Sequence, residues 1–579
     1  MISKALSRPP ERRWHITAFP GVYWVEFLRG AVQNVGLAER KNYIAPVVVL
    51  MCMVCFFLAG MTVIPYAGIQ NDEALFAAGI YSPETIRNSI RIFGHAIATM
   101  LMSYLGALKC WIYGPIFAIW QPSVYSLRVP VLVLGACTIW LFYRLLSRIL
   151  GCRAALAGCA LLATDSTYLY TTCFDWGPVL LQHLLMLGGV LLLVGFHQTA
   201  SRAALGAGFF LFGLALWDKA LFGWTLAGML LGLLAANPGA LRRAVSKKNL
   251  LVVVFCFSAG AFPLLRFNLL ESGETLRANQ GWSAEPAVLR FKVDMLLRSL
   301  GGSGLLKYLS FADGTPGARQ PRTALERSSV KLDERAGNLR EGWLAYAMGA
   351  ALLLLPAVWN TRARRPMIFA LVVMAVVWGQ MLFGAGVGAS VHHTVLLWPW
   401  PHFFAAAGLA EASRRLQRAG LPALVLVIAL VCGSNVVAAD VQFSQLIRNG
   451  GGAVWTDAVF GLSEYLPTIP AERYVLLDWG MTEPLRLLHE GRIPLAWGGE
   501  SLLKDTPGED DRRQFLSMIQ AAGNVYVSHT DPYQVLGPVN PRLDWLLERE
   551  GYRKQPLALI PDTNGRNIFA VFRVVKRRG

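Results

Sequence analysis

Charged residues are scarce in this chain: they make up 16% of its 579 residues, against about 25% in soluble domains. This shortage argues against an ordinary soluble protein. Hydrophobic residues make up 54% of the chain, and they are gathered in runs rather than spread evenly. A bilayer core about 30 Å thick needs about 20 apolar residues to be crossed by a helix. Since the runs lack the alternation of a barrel strand, the composition predicts a multi-span helical membrane protein.

Other absences narrow the class further. All nine cysteines precede residue 440, so no disulfide is expected in the C-terminal region. Cys52 and Cys55 form a CxxC inside an apolar run, where small core residues are favoured over zinc because a structural zinc site needs four ligands. A P-loop and a serine-nucleophile elbow are both missing from the sequence. The GxGxG run at Gly384–Gly388 follows an apolar run and not a strand, which argues against a dinucleotide site.

The apolar runs predict eleven spans, at 44–66, 129–149, 154–170, 178–196, 203–217, 220–236, 249–266, 342–359, 366–384, 394–411 and 421–438. The first run is too long for a signal-peptide core, so it is expected to be a retained helix. Every second connector is then basic: Arg148 and Arg153; Arg202; Arg242, Arg243, Lys247 and Lys248; Arg362, Arg364 and Arg365; Arg414, Arg415 and Arg418. Because cytoplasmic loops hold the excess of Lys and Arg, the pattern predicts a cytoplasmic N-terminal segment, 1–43. The net charge of +18 is explained by this topology, and no nucleic-acid partner is expected.

Three segments then lie outside the membrane. Two of them, 67–128 and 267–341, are loops of a transmembrane module at 44–439, and the third is a C-terminal region at 440–579. The third segment alternates strand-like runs with helix-like ones and predicts a small α/β domain. Its strands are expected at Tyr474–Asp478, Asn524–His529 and Ile568–Val575, and its helices at Thr482–His489, Asp510–Ala521 and Asn540–Glu550.

The first outer loop carries two further patterns. Ser82-Pro83-Glu84 is typical of a helix start, and Ile86, Ile90 and Phe93 repeat at helical spacing, so a short amphipathic helix in the membrane interface is predicted. The apolar stretch 97–120 is interpreted as re-entrant or interfacial, because counting it as a span would place the basic connectors outside.

Asp72 and Glu73, just beyond the first span, are the strongest candidates for chemistry. A charge this close to a bilayer is costly, so acids there tend to be paired or functional. Glycosyl transfer by direct displacement needs a carboxylate to take the proton of the acceptor. The alternative is two solvated acids in a loop.

The order of residues in this loop resembles the GT-C class of multi-span glycosyltransferases, above all the protein O-mannosyltransferase-like and aminoarabinose-transferase-like families (families 39 and 83). The resemblance is carried by Asp72-Glu73 after the first span, the stretch Tyr104-Leu105-Gly106-Ala107-Leu108-Lys109, and the entry Ser126-Leu127-Arg128 into the second span. These families use polyprenyl-phosphate sugars. The resemblance implies that Asp72 is the catalytic base and that Glu73 supports it. It also implies that Lys109 binds the donor phosphate.

Several other residues are candidates for binding the donor phosphate or the substrate, and each also has a simpler explanation. Lys109 alternatively reaches the lipid headgroups; Arg87 and Arg91 share the phosphate hypothesis, with headgroup contact as the stronger alternative. His392 and His393 stand where the resembling families place a phosphate-binding pair, and a metal role is a minor alternative. Tyr104, Asp175 and Lys219 are expected to bind substrate. The alternatives are a helix cap for Asp175 and, for Lys219, a local ion pair with Asp218.

The sequence thus predicts an all-α polytopic membrane protein of GT-C type with a small C-terminal α/β periplasmic domain. By resemblance it is an inverting glycosyltransferase of a bacterial inner membrane. It would move a sugar from a polyprenyl-phosphate donor to a lipid, glycan or protein acceptor at the periplasmic face. A divalent cation, Mg²⁺ or Mn²⁺, held by Asp72 or Glu73 is left open. A transporter or flippase of lipid-linked sugars is the main alternative, and a non-catalytic sensor or assembly subunit is the third.

Overall fold

The computed structural model describes residues 44–244, 246–278, 281–503, 508–521 and 523–577. The helices of the membrane module, in chain order, are α1 (Ile44–Val63), α2 (Asn71–Ala74), α3 (Ala77–Tyr81), α4 (Leu108–Ile119), α5 (Val124–Ile149), α6 (Cys152–Thr164), α7 (Ser166–Cys173), α8 (Leu180–Thr199), α9 (Arg202–Asp218), α10 (Phe222–Ala236), α11 (Pro238–Ala244), α12 (Lys247–Leu270), α13 (Glu274–Arg277), α14 (Pro286–Leu300), α15 (Leu306–Leu309), α16 (Ala324–Ala336), α17 (Leu344–Leu353), α18 (Leu355–Val358), α19 (Arg364–Phe383), α20 (Val391–Thr394), α21 (Trp400–Arg415) and α22 (Gly420–Asn449).

Helices occupy all eleven of the predicted spans, so the all-α membrane architecture is confirmed. Among the described residues, six helical segments have the length and apolar composition to cross a membrane: Ile44–Tyr66, Val124–Ile149, Leu180–Thr199, Lys247–Leu270, Arg364–Phe383 and Gln417–Asn449. The count of eleven spans stays a prediction. Three predicted spans are interrupted: the third at Asp165, which caps α7, the eighth at Leu354, just before Pro356, and the tenth at Trp398 and Pro399, just before α21.

Close helix packing explains part of the glycine content. A Cβ atom on Gly213 of α9 would lie 2.3 Å from the carbonyl oxygen of Phe257, and one on Gly260 of α12 would lie 2.3 Å from that of Phe210. The two helices therefore cross with backbone against backbone, the small-residue packing that is common between helices in membranes.

The segment predicted as an amphipathic helix is a β-hairpin, so that prediction is wrong. Strand β1 (Asn88–Ile92) pairs antiparallel with β2 (His95–Met100), and Ile92 faces His95 across the turn. Phe93 and Gly94 form the turn with φ angles of 49° and 82°. Positive φ at both central residues gives the turn twist that two-residue hairpins prefer, and the branched residues at Ile90 and Ile92 favour strand over helix.

The apolar stretch after the hairpin ends in the short helix α4, which has 12 residues and contains Pro115. At about 1.5 Å per residue it measures about 18 Å, well short of the hydrocarbon core. Lys109, Cys110 and Tyr113 are its buried residues. The helix thus brings Lys109 beneath the first outer loop.

The second outer segment is tied to the last long helix by polar contacts. Gln445 of α22 donates to Asp313 at 2.7 Å, and Arg448 pairs with Asp333 of α16 at 2.7 Å. Tyr66, at the end of the first span, donates to Glu326 of the same segment at 3.0 Å. These contacts join the segment to two separate helices of the membrane module.

The C-terminal region is the small α/β domain predicted from the sequence. Its sheet has the strand order β4-β3-β5-β7-β6, in which β3, β4 and β5 are parallel and β7 is antiparallel to β5 and β6. Its strands are β3 (Tyr474–Leu476), β4 (Leu495–Trp497), β5 (Val525–His529), β6 (Tyr552–Pro561) and β7 (Asn567–Lys576). Its helices are α23 (Ala458–Tyr465), α24 (Thr482–Leu488), α25 (Glu500–Leu503), α26 (Glu509–Gln520) and α27 (Val539–Arg549).

Two strands of this domain were not predicted, and their sequences explain why. Strand β4 has only three residues. Strand β6 contains Pro556 at a register irregularity and ends at Pro561, features confined to edge strands and bulges. The boundary predicted at 439 falls inside α22, which continues unbroken to Asn449.

The domain packs against the first outer loop. Helix α24 contacts both α2 and α3, and the backbone N–H of Glu483 donates to the side-chain oxygen of Asn71 at 3.3 Å. The residue next to Asn71 is Asp72, so the domain rests beside the acid singled out from the sequence.

Candidate active site

A fully buried arginine holds the first outer loop. Arg128 lies in the first turns of α5 with 0% of its surface exposed. Its Nε and Nη2 donate to the two carboxylate oxygens of Glu73 at 2.7 and 2.9 Å. Its remaining N–H groups donate to the carbonyl oxygens of Ile64, Ala67 and Gly68. All five donors of the guanidinium are therefore satisfied, which is the condition for burying such a charge.

Asp72 projects from the same short helix. The side chain of Gln70 caps α2, accepting from the backbone N–H of Asp72 at 2.6 Å and from that of Glu73 at 3.1 Å. Helix α2 is therefore held at its start by the Gln70 cap and through Glu73 by the pair with Arg128. Burial raises the pKa of Asp72 above its usual value, because the charged form is poorly solvated there.

The stretch Tyr104–Lys109 packs against the connector between α9 and α10. The N–H of Gly106 donates to the carbonyl of Asp218 at 3.0 Å, and the N–H of Ala220 donates to that of Tyr104 at 2.9 Å. A Cβ on Gly106 would lie 2.0 Å from the carbonyl oxygen of Trp217. Glycine is thus required at this close approach, which brings Lys219 toward Asp72.

Asp72 and Lys219 line one cavity of about 480 Å³. Tyr104, His392 and His393 also line it. The Lys219 ammonium is buried and donates to the carbonyl of Gly177. Burial lowers its pKa to about 8, against the opposing charges of the nearby aspartates. The cavity therefore combines an acid and a cation, the two groups needed to handle a proton and an anion.

Lys109 has a different environment from the one expected. Its ammonium pairs with the carboxylate of Asp175 at 2.5 Å, donates to the carbonyl of Glu73 at 3.2 Å and lies over the ring of Phe76. It reaches a narrow recess below Asp72 and is not among the described residues that line the main cavity. Asp175, expected to bind substrate, is likewise engaged in this buried pair.

The two histidines lie together at the cavity wall. The rings of His392 and His393 are 4.1 Å apart, and His392 stacks near Trp176 with its Nδ1 2.8 Å from the hydroxyl of Ser390. Burial lowers the pKa of His392 well below its usual value and that of His393 to about 3. Both rings are therefore neutral near pH 7 and act as hydrogen-bonding groups, not as cations.

The remaining predicted residues divide into two groups. Tyr104 lines the cavity, and its pKa is raised by burial and by the charge of Asp72, so it is a neutral hydroxyl. Arg87 instead pairs with Glu274 of the second outer segment at 2.5 Å, and Arg91 is exposed on the hairpin. Neither arginine is among the described residues lining the cavity.

The donor set does not suit a divalent cation at Asp72 and Glu73. Both oxygens of Glu73 accept from Arg128, so the two acids do not converge as a ligand pair. Within the described ranges, no three His, Cys, Asp or Glu side chains are gathered as metal ligands. We assign no chemistry to a metal at these residues.

Sequence reasoning missed the partner of Glu73. A lone arginine among the first residues of an apolar helix is costly unless it is paired. Arg128 carried that signal, but it lies 55 positions from Glu73, and nothing in the sequence joins the two.

Comparisons with known proteins agree with this architecture. A family model described as dolichyl-phosphate-mannose-protein mannosyltransferase matches residues 107–265, which is less than half of the chain. The solved structure of ArnT from Cupriavidus metallidurans bound to undecaprenyl phosphate superimposes with a TM-score of 0.54 at 14% identity, covering 92% of this chain and 98% of that one. The chain has the GT-C fold.

Other GT-C structures are more distant. The apo oligosaccharyltransferase of Archaeoglobus fulgidus has a TM-score of 0.48 at 15% identity, covering 84% of this chain and 70% of that one. The arabinofuranosyltransferase AftD from Mycobacteria has a TM-score of 0.49 at 13% identity, covering 93% of this chain and 40% of that one. No curated protein sequence matches the chain.

The glycine contact predicts a matched pair of variants. Gly106→Ala should destabilise the protein by about 1–3 kcal/mol, because the new methyl group meets a backbone oxygen that cannot move freely. Gly114→Ala should leave stability unchanged or slightly raised, since a Cβ there meets open space within a helix. Thermal unfolding of the detergent-solubilised variants measures both. Equal melting temperatures would contradict the close approach.

The buried ion pair predicts a second contrast. Arg128→Met should cost about 3–5 kcal/mol, because it leaves the Glu73 carboxylate buried without a partner. Arg298→Met, which breaks the exposed pair with Asp294, should cost less than about 1 kcal/mol. Denaturant unfolding in one detergent compares the two, and a loss of similar size in both variants would refute the role given to Arg128.

Proposed function

We propose that this chain transfers a sugar from a polyprenyl-phosphate donor to an acceptor hydroxyl at the outer face of the membrane. The observation that carries the proposal is the shared cavity of Asp72 and Lys219, beside the outer ends of the helices. The GT-C fold supports it, as does the undecaprenyl phosphate bound by the neighbour ArnT. The cavity offers a proton acceptor and an anion-binding cation to the same substrate.

Asp72 is the proposed base. Its raised pKa makes it a better proton acceptor than an exposed aspartate. The capped helix α2 and the pair of Glu73 with Arg128 hold its position. Glu73 is accordingly a positioning residue rather than a second catalytic acid.

Lys219 is the proposed primary contact of the donor phosphate. It lines the cavity, whereas Lys109 is held by Asp175. His393 adds a ring nitrogen, Nδ1, that is buried without a hydrogen-bond partner among the residues the structure describes. A neutral imidazole can donate to a phosphate oxygen through one nitrogen, so the histidines assist Lys219 without adding charge.

The proposed reaction is a single displacement. The acceptor oxygen forms a bond to C1 of the sugar as its proton passes to Asp72. The bond from C1 to the phosphate oxygen breaks, and its electron pair stays on the polyprenyl phosphate. The configuration at C1 is inverted. Because phosphate is a good leaving group and Lys219 stabilises its charge, no acid is needed to protonate it.

The distribution of basic connectors supports a setting for the enzyme. It favours a cytoplasmic N-terminal segment and a cavity at the opposite face, which for a bacterium is the periplasmic side of the inner membrane. The polyprenyl tail would remain in lipid while the sugar and phosphate enter the cavity. The acceptor is a lipid, glycan or protein that presents a hydroxyl on this side.

Removing the base should abolish transfer without abolishing binding. In nanodiscs supplied with a panel of polyprenyl-phosphate sugars and candidate acceptors, Asp72→Asn should lower the rate of transfer by about 10²–10⁴-fold. Its affinity for undecaprenyl phosphate should be kept, because the substitution removes no cation. Asp294→Asn, an exposed acid outside the cavity, is the control. Transfer at the native rate by Asp72→Asn would remove Asp72 as the base.

The two ionisable groups predict a bell-shaped dependence of transfer on pH. Activity should fall as the pH drops through the raised pKa of Asp72, since the protonated acid accepts no proton. It should fall again as the pH rises through about 8, where Lys219 loses its charge. Lys219→Arg should move the upper limb to higher pH, because arginine stays protonated.

A measurement of phosphate binding tests the role of Lys219 separately from that of Asp72. Lys219→Met should lower the affinity for undecaprenyl phosphate at least about tenfold. Lys331→Met, at an exposed position in the second outer segment, should leave that affinity unchanged. Titration calorimetry measures both variants. An unchanged affinity in Lys219→Met would overturn the assignment of Lys219.

A further inference from the structure

A second cavity lies between the C-terminal domain and the first outer loop. Its volume is about 410 Å³, and we call it the domain cleft. Asn71 and Leu75 of the loop line one side, and Trp479, Glu483 and Trp497 of the domain line the other. Neither the proton acceptor nor the phosphate contact uses these domain residues.

The domain cleft meets the cavity that Asp72 and Lys219 line, called the donor cavity from here on, at helix α2. Leu75 lines both cavities, and Asn71, in the cleft, is the neighbour of Asp72, in the donor cavity. Inverting displacement requires the acceptor to approach C1 from the side opposite the phosphate, with the base beside the attacking oxygen. A group held in the cleft would approach from a different side than one held in the donor cavity.

The sheet topology also favours a ligand here. Strands β3 and β4 are parallel, and Trp497 ends β4 while Trp479 follows β3. The cleft thus lies at the carboxyl ends of two neighbouring parallel strands. In open parallel sheets, ligands bind outside the carboxyl ends of the strands.

We propose that the domain cleft binds the acceptor and that the acceptor is an uncharged sugar unit of a glycan or glycolipid. This inference rests on the proposed function and adds to it the chemical class of the acceptor. Trp497 is 42% exposed, and Trp479 is half-buried in the same cleft. Flat aromatic faces suit the C–H face of a sugar ring, and a few fixed polar groups then bind its hydroxyls.

The charges of the cleft support a neutral ligand. Glu483 and Arg486 form an ion pair at 2.5 Å and are both largely buried, so each neutralises the other. The pair still offers carboxylate acceptors and guanidinium donors to hydroxyl groups. Asn71 and Thr482 add uncharged polar side chains on either side.

A peptide acceptor fits the cleft less well. Extended peptides commonly bind by adding a strand to an open sheet edge. The edge strand here, β4, has only three residues, which leaves few backbone groups to pair. The polar groups of the cleft that carry the argument belong to side chains, as expected for a ligand rich in hydroxyls.

The test measures sugar binding directly. Full-length protein in nanodiscs is mixed with maltotriose, mannotriose, chitotriose or a serine- and threonine-rich hexapeptide, and saturation-transfer NMR records binding. At least one trisaccharide should bind, and Trp479→Ala and Trp497→Ala should each weaken it at least about tenfold. Trp497→Phe should retain most of the affinity. Trp545→Ala, an exposed tryptophan of the same domain on α27, is the matched control and should bind normally.

Each other outcome counts against the proposal. Binding of the peptide alone, the absence of a signal for every trisaccharide, or sugar binding that survives both alanine substitutions would overturn it. Normal melting temperatures and normal undecaprenyl phosphate affinity show that a variant is folded. Asp72→Asn should still bind the sugar, so failure of the catalytic hypothesis and failure of the acceptor hypothesis give different results.

Discussion

The geometry of the first outer loop depends on the buried pair of Arg128 and Glu73. One guanidinium binds the carboxylate of α2 and three carbonyl oxygens at the end of the first span. The chain must therefore pass over the N-terminus of α5 before it reaches Asp72. Two opposite charges can be fully buried only when they are paired, because the loss of either one leaves the other buried without a partner. The pair thus selects one path for the loop rather than simply adding stability.

The membrane architecture could be read from the sequence, while the pairing of charges could not. Span positions follow from the length of apolar runs, which is a local property. Ile86, Ile90 and Phe93 fit helical spacing and therefore predict a helix. The segment is a hairpin instead, because the chain turns back at Phe93-Gly94. Which cation meets which acid depends on contacts between distant segments. The sequence therefore could not show that Lys109 pairs with Asp175, or that Lys219 lines the larger cavity with Asp72.

The buried cations of the site are of two kinds: some are bound to protein acceptors, and one lines the cavity. Arg128 and Lys109 have their hydrogen-bonding capacity directed to protein acceptors. Lys219 shares a cavity with Asp72, and its ammonium is balanced by three nearby aspartates rather than by one close partner. The buried pairs hold the walls of the cavity and leave the side chains of Asp72 and Lys219 lining it.

Helix α22 continues unbroken to Asn449, and three glycines, Gly450–Gly452, follow it before α23, the first helix of the domain. The outer end of α22 is also bound to Asp313 and Asp333 of the second outer segment. The carbonyl oxygens of Arg448 and Asn449 at the same helix end accept hydrogen bonds from Asn564 and Arg566 of the domain. The glycine-linked domain is therefore held to the membrane module by side chains that cap α22, and not by a continuous helix.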